Sequence, residues 1–355
     1  MFASPMFAMT AAAMSSASSA PEPSPVASDP VGSDSVEPGF VDSGPVDSGL
    51  DESINGSRSG AEALPAESID WGHLSVLRDE CVAGLQPRSG GCYLDATLGA
   101  GGHTAALLAA DPEVRVVGLD CDDRALVIAR ERLAPWGDRV TFVRSNFAQF
   151  NPGDQQFDGI LADLGVSSMQ FDQPDRGFSF RHDGPLDMRM DDRLTESAAD
   201  VVNHWQEVPL ANAIYTYGEE RLSRRIARAI VEQRQTQPFQ TTLELANAIA
   251  RCVPGKYRHG RIHPATRTFQ ALRIVVNQEL AVLETLLDRA PNWLAPQGRL
   301  AVISFHSLED RIVKHRLRES TQLKVITKKP ICPNDAEMGQ NSRSRSAKLR
   351  IAERI

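Results

Sequence analysis

The stretch Asp95-Ala96-Thr97-Leu98-Gly99-Ala100-Gly101-Gly102-His103-Thr104 constrains the fold more than any other part of this chain. Tyr93 and Leu94 lead in as a short apolar strand, and Thr104–Ala110 leads out as a helix. An acid thus stands at a strand's carboxyl end, followed by glycines that let a ligand approach the backbone and by a helix amino terminus. A second strand, Val114–Leu119, ends at Asp120. An acid roughly 20 residues beyond a glycine turn suits hydrogen bonds to the two hydroxyls of a ribose. A glycine-rich turn alone is as often a tight turn with no ligand. The order strand, acid, loop, helix, strand and second acid favours a nucleoside pocket at the crevice of a parallel sheet.

The nucleoside is not expected to be NAD. A dinucleotide turn reads G-x-G-x-x-G and seats a pyrophosphate on the helix end. Here an acid precedes the glycines, and its charge repels a pyrophosphate while suiting a ligand that carries an ammonium group. S-adenosylmethionine has that amine together with a ribose and an adenine.

Residues 1–68 are rich in Ala, Ser, Pro, Gly and Asp, with ten acids against the single base Arg58. That segment carries −9, so a chain of formal charge −8 leaves +1 for everything after it. The acidic balance therefore does not argue against a nucleic-acid partner for the rest. Such a segment buries too little apolar surface to offset its ordering entropy and is expected to be disordered. It lacks the basic start and apolar core of a targeting signal, and no apolar run is long enough for a bilayer. The five cysteines (Cys81, Cys92, Cys121, Cys252 and Cys332) are scattered, without C-x-x-C pairs. This spacing argues for reduced thiols in a cytoplasmic setting and against a zinc site or disulfide framework.

From about residue 69 to 168 the chain alternates helix and strand signals, as a doubly wound, mostly parallel α/β sheet does. Strands are expected at Tyr93–Asp95, Val114–Asp120, Val140–Arg144 and Phe157–Ala162, the last ending at Asp163. Helices are expected at Val76–Leu85, Thr104–Ala110 and Asp123–Leu133. Between 169 and 260 no convincing strand occurs. Thr195–Trp205, Pro209–Tyr215, Glu219–Gln235 and Thr242–Cys252 read as helices, an inserted helical module of the kind that shapes a substrate mouth. The sheet resumes over 261–355, with a helix Thr268–Leu287, a turn Ala295–Gly298, a fifth strand Arg299–Phe305 and an edge strand Lys348–Glu353.

Asp163, at the end of the fourth strand, falls beside the crevice, where a carboxylate can hydrogen-bond an incoming amine and orient its lone pair. The competing reading is an acid that caps the turn through Ser167 and Ser168. Phe147 follows the third strand in a loop where an adenine could stack, or simply fills core. His306, after the fifth strand, suits proton removal or phosphate contact as well as purely structural hydrogen bonds. Arg224, Arg225 and Arg228 share one helix face, and Lys256–Arg267 adds Arg258, His259, Arg261 and His263. Arg176, Phe178, Phe180, Met188, Arg189 and Met190 mix basic and aromatic character. Each run alone is ordinarily a solvated face; together they favour RNA.

Seven motifs in order give the chain a resemblance. Asp95–His103, Asp163–Ser168, Arg176–Phe180, Gly184–Met190, Tyr217–Arg221, His263–Ala271 and Ser304–Arg311 are similar to those of the bacterial ribosomal RNA small-subunit methyltransferase H family, over roughly 70–355. The resemblance implies a Rossmann-like class I methyltransferase using S-adenosylmethionine, with no metal. It implies transfer to the exocyclic N4 of a decoding-centre cytidine of 16S rRNA in the assembled small ribosomal subunit. It also implies that Gly101, Gly102 and His103 hold the methionine part, the last by backbone and side chain. Asp120 would take the ribose and Phe147 the adenine neighbourhood, while Asp163 and Gln170 close the pocket near amino acid and methyl. Met169 and Phe171 stand where the family more often has Pro and Leu, and 331–341 departs from its usual linker. A DNA or protein amine as target, or an RNA-binding assembly factor without turnover, are the other readings. The sequence leaves oligomeric state open, a homodimer included, and implies no membrane partner.

Overall fold

The computed structural model describes residues 74–258, 260 and 262–355. The acidic segment 1–68, His259 and Arg261 lie outside the described residues.

Seven strands form one sheet: β1 (Cys92–Asp95), β2 (Arg115–Asp120), β3 (Val140–Arg144), β4 (Phe157–Asp163), β5 (Leu294–Ser304), β6 (Leu323–Val325) and β7 (Lys348–Arg354). Their order is β3-β2-β1-β4-β5-β7-β6. The first five pair in parallel, and β7 runs antiparallel to both its neighbours. The chain winds outward from β1 to β3 and then crosses to β4 on the other side of β1. The two halves therefore diverge between β1 and β4, where a doubly wound sheet opens a crevice at its carboxyl edge. Helices α1 (Arg78–Leu85), α2 (Gly102–Ala110) and α3 (Asp123–Leu133) accompany this first half.

Beyond the short α4 (Ser168–Asp172), α5 (Ala198–His204), α6 (Glu207–Gly218), α7 (Ser223–Arg234), α8 (Thr242–Cys252), α9 (Gly255–Arg258) and α10 (Thr266–Asn277) follow. Their apolar faces make a core of their own: Leu210, Ile214, Ile226, Ile230, Leu245 and Ile249 pack with Phe269, Leu272 and Val276. After α11 (Glu279–Trp293) come α12 (Ser307–Glu319) and α13 (Asp335–Gln340). Among the described residues no helix is long and apolar enough to cross a membrane.

Three expectations need correction. The single helix Thr268–Leu287 is two helices, because Gln278 turns left-handed at φ 51° and caps α10. One straight helix could not serve both cores: Phe269, Leu272 and Val276 lie in the helical core, whereas Leu283, Leu286 and Leu287 lie on the sheet. The helix Glu219–Gln235 starts only at Ser223, since Glu219 itself is the left-handed cap of α6 at φ 49°. β7 is not at the edge, being covered by β6. Its alternating charges are tolerated inside because Asp310 accepts from Arg350 (2.7 Å) and Lys348 (3.2 Å).

Candidate active site at the carboxyl edge of the sheet

Three strand ends bring three acids to the crevice: Asp95 from β1, Asp120 from β2 and Asp163 from β4. Asp95 is buried, taking the Thr104 hydroxyl at 2.8 Å and the Thr97 N–H at 3.2 Å. It braces the loop onto α2 instead of standing bare beside the glycines. Asp120 is half-buried and accepts the N–H groups of Gly99 (2.8 Å) and Asp122 (2.9 Å), one on each oxygen. Burial pushes both carboxyls up to about 6, against the pull of these hydrogen bonds. Asp163 donates its N–H to Thr97 Oγ1 at 2.6 Å, while its Oδ1 is buried without a hydrogen-bond partner. Burial first, then the charges of Asp95 and Glu309, hold its proton affinity far above the usual carboxylate range. The rim is thus a crowded set of acids that a cation would relieve.

The glycine loop divides its tasks. Gly99, at φ 51°, has nothing within 4 Å of where a side chain would start, so its surface is open to a ligand. Gly101, at φ 77°, caps α2, and a Cβ there would lie 2.8 Å from Leu133 Cδ1. A Cβ at Gly102 would collide with Ser75 Oγ. At those two positions the chain's own side chains, Leu133 and Ser75, fill the space a Cβ would take. No side chain caps α2, which leaves its first-turn N–H groups, those of Gly102 and His103, for an anion. The His103 ring is buried, with Nε2 2.9 Å from Val76 O and Nδ1 3.8 Å from Asp163 Oδ2.

The remaining sequence candidates occupy a second tier. Phe147 is half-buried and packs against the sheet core. Gln170 caps α4: its amide oxygen takes the Ser167 N–H at 3.2 Å, and its NH2 reaches Asp122 at 2.8 Å. Asp122, 6% exposed, also takes Arg176 Nη1 at 2.7 Å and caps α3 through the Arg124 N–H at 3.0 Å. Arg176 continues to the carbonyls of Arg189 and Met190. One carboxylate therefore ties together the β2–α3 turn, α4 and two motifs of the helical insertion. Sequence reasoning missed Asp122 and Gly99; the D-x-D spacing after β2 was the available signal for the former. His306 caps α12, with its Nε2 3.0 Å from Glu309 Oε1.

Part of the basic character is neutralised locally. Arg189 pairs with Asp187, Arg193 with Asp191 and Arg228 with Glu207. Arg221, Arg224 and Arg225 are exposed, the last donating to Cys252 O. Phe180 is engaged with His263 and Phe269 at centroid distances of 4.8 and 4.7 Å.

Residues 70–355 match the MraW methylase family. Among curated relatives, the Ribosomal RNA small subunit methyltransferase H of Synechococcus elongatus is 62% identical over 283 residues, covering 80% of this chain and 95% of the relative. The protein of the same name from Trichormus variabilis is 62% identical over 294 residues, covering 83% and 95%. Among solved structures, the N-methyltransferase NodS from Bradyrhizobium japonicum in complex with S-adenosyl-l-homocysteine aligns with a TM-score of 0.37 at 11% identity, covering 78% and 85%.

Proposed function

The chain belongs to the MraW methylase family, and on that premise we propose that it transfers a methyl group from S-adenosylmethionine to the exocyclic N4 of a decoding-centre cytidine in 16S rRNA, acting on the assembled small ribosomal subunit. The observation that carries the reading is the Asp163 carboxylate, 25% exposed at the crevice between β1 and β4, with no hydrogen-bond partner on Oδ1 to hold it. A carboxylate oxygen kept free there has a use when an amine must be aimed.

The residues suit the donor. Asp120 has a lone pair left on each oxygen for ribose hydroxyls after accepting two N–H groups. Gly99 leaves backbone surface open, the α2 amino terminus offers N–H groups to a carboxylate, and the acidic rim favours a cation. Phe147 stands in the loop next to β2, on the side where the adenine would extend. S-adenosylmethionine, when bound, supplies a sulfonium methyl as electrophile. The cytosine amine is a poor nucleophile because its lone pair is delocalised into the ring. Asp163 Oδ2 accepts an N–H of that amine, turns its lone pair toward the methyl and then takes the proton. Gln170, Asp122 and Arg176 hold α4 and the insertion over the rim, and exposed Arg221 and Arg224 suit an RNA backbone. The target base has to leave its stack to enter.

Relatives named as small-subunit rRNA methyltransferases support RNA over DNA or protein as the acceptor. Isotope-labelled S-adenosylmethionine offered in parallel to naked 16S rRNA, small subunits and DNA, followed by nucleoside mass spectrometry, tests the proposal. Label in N4-methylcytidine from small subunits is expected. Label confined to DNA, or to another nucleoside, refutes it.

A further inference from the structure

His103 Nε2 lies 2.9 Å from the carbonyl oxygen of Val76. A carbonyl has no proton to give, so Nε2 carries the hydrogen and Nδ1 is left as a bare lone pair. That lone pair faces Asp163 Oδ2 at 3.8 Å, with the imidazole 7% and the carboxylate 25% exposed. The anchor is itself fixed: Leu77 N–H donates to Glu337 Oε1 at 2.8 Å, and Asn341 Nδ2 donates to Leu74 O at 3.0 Å. The α13 region thereby holds residues 74–77 and sets the ring's orientation. Other titratable or charged groups facing the pair are Asp95 from β1, Glu309 from α12, Arg78 and Cys81 from α1, and Arg132 from α3.

A bare lone pair repels a carboxylate but accepts a hydrogen bond from a carboxylic acid. The two groups are therefore complementary only when a proton sits on Asp163. Burial, with Arg78 and Arg132 nearby, brings the imidazole down to about 4, so the ring stays neutral and does not compete for that proton. Asp163 Oδ1 is buried, so Oδ2 is the carboxylate oxygen within reach of both the substrate and His103.

We propose that His103 is the positioning residue of Asp163: its Nδ1 receives the O–H that forms on Oδ2 when Asp163 takes the proton of the methylated amine. In that step an N–H bond of the amine breaks and its electron pair returns to nitrogen. An O–H bond forms on Asp163 Oδ2 and turns about the C–O bond toward His103 Nδ1; nothing is oxidised or reduced. This rests on the functional reading above and gives the His103 side chain a different task from contact with the methionine moiety.

The test uses the full chain with small subunits and S-adenosylmethionine. His103→Gln retains an amide donor for Val76 O but has no acceptor at the δ position. Single-turnover transfer is expected to slow about tenfold to a hundredfold, within the range of acid–base contributions. Calorimetric affinity for S-adenosylmethionine should stay within about twofold. The acidic limb of the rate profile should move to lower pH, because Asp163 loses the partner that favours its protonated form. In an Asp163→Asn background the same change should slow transfer no further. Weakened donor affinity with an unchanged rate, or additive losses in the double variant, overturns the proposal. On wild-type protein, nitrogen shifts of 15N-labelled histidine should show His103 protonated at Nε2 only; the Nδ1–H tautomer overturns it without recourse to any variant. Wild-type protein that labels no small-subunit cytidine overturns the functional reading, whereas the tautomer and double-variant results bear on His103 alone.

Discussion

Replacing Asp122 tests whether one carboxylate joins the helical insertion to the sheet. Asp122→Ala removes three accepted hydrogen bonds at once: the α3 cap from Arg124 N–H, and those from Gln170 Nε2 and Arg176 Nη1. A lost helix cap costs about 1 kcal/mol. Arg176, with its side chain 12% exposed, would be left as an uncompensated guanidinium, a defect that costs about 3–5 kcal/mol. Its Nη2 keeps the carbonyls of Arg189 and Met190, which places the penalty at the lower end. The sum is about 4 kcal/mol, a fall in melting temperature on the order of 10 °C for a unit of this size. Asp122→Asn separates the parts. An asparagine caps as well as an aspartate, so about 1 kcal/mol returns, while the charge facing Arg176 stays lost. Urea unfolding followed by circular dichroism, compared at constant m-value, measures both variants. A loss below about 1 kcal/mol for Asp122→Ala would refute the reasoning, as would Asp122→Asn behaving like wild type.

Further expectations follow from the rim and its loops. Asp163→Asn should bind S-adenosylmethionine yet transfer at least about a hundredfold more slowly, measured by single-turnover labelling; wild-type turnover would remove Asp163 from the chemistry. Donor affinity should weaken as pH falls through about 6, because the ionised forms of Asp95 and Asp120 favour a cation and protonation competes. Without ligand the sign reverses: a raised folded-state pKa contributes stability at low pH that is lost as pH rises from the ordinary aspartate value through about 6. Calorimetric titration and thermal melts across that window check the two directions, and flat profiles contradict both. Gly90 and Gly177 share φ 71°, but only Gly177 is crowded, with a Cβ position 2.8 Å from Asp187 N and in collision with Pro185 O. Gly90→Ala should cost about 1–2 kcal/mol of backbone strain, and Gly177→Ala several kcal/mol more. Equal melting shifts would contradict that contrast.

Strand ends marked by acids were legible because the last residues of the parallel strands are short apolar runs closed by Asp95, Asp120 and Asp163, a pattern local in the chain. The same holds for α8 and α3, whose starts carry a Thr or Asp cap within a few residues. Boundaries were lost where a helix had to change partners. Gln278 and Glu219 adopt left-handed backbone without being Gly or Asn, so nothing in their identity announces the break. β7 looked like an edge strand because its charges alternate; the Asp310 partner that permits burial lies some forty positions away.

The order of residues alone determined that this chain makes a doubly wound sheet with a glycine loop after its first strand, since periodicity and turn chemistry act over a few residues. Which atoms remain free was decided only in three dimensions. Tertiary packing closed Asp95 onto Thr104, seated Gly101 and Gly102 against Leu133 and Ser75, and drew Gln170 to Asp122. It left Gly99 open and Asp163 Oδ1 without a partner. The reason is physical: a buried polar atom takes whichever donor or acceptor the fold brings within reach, and those partners come from segments dozens of positions apart.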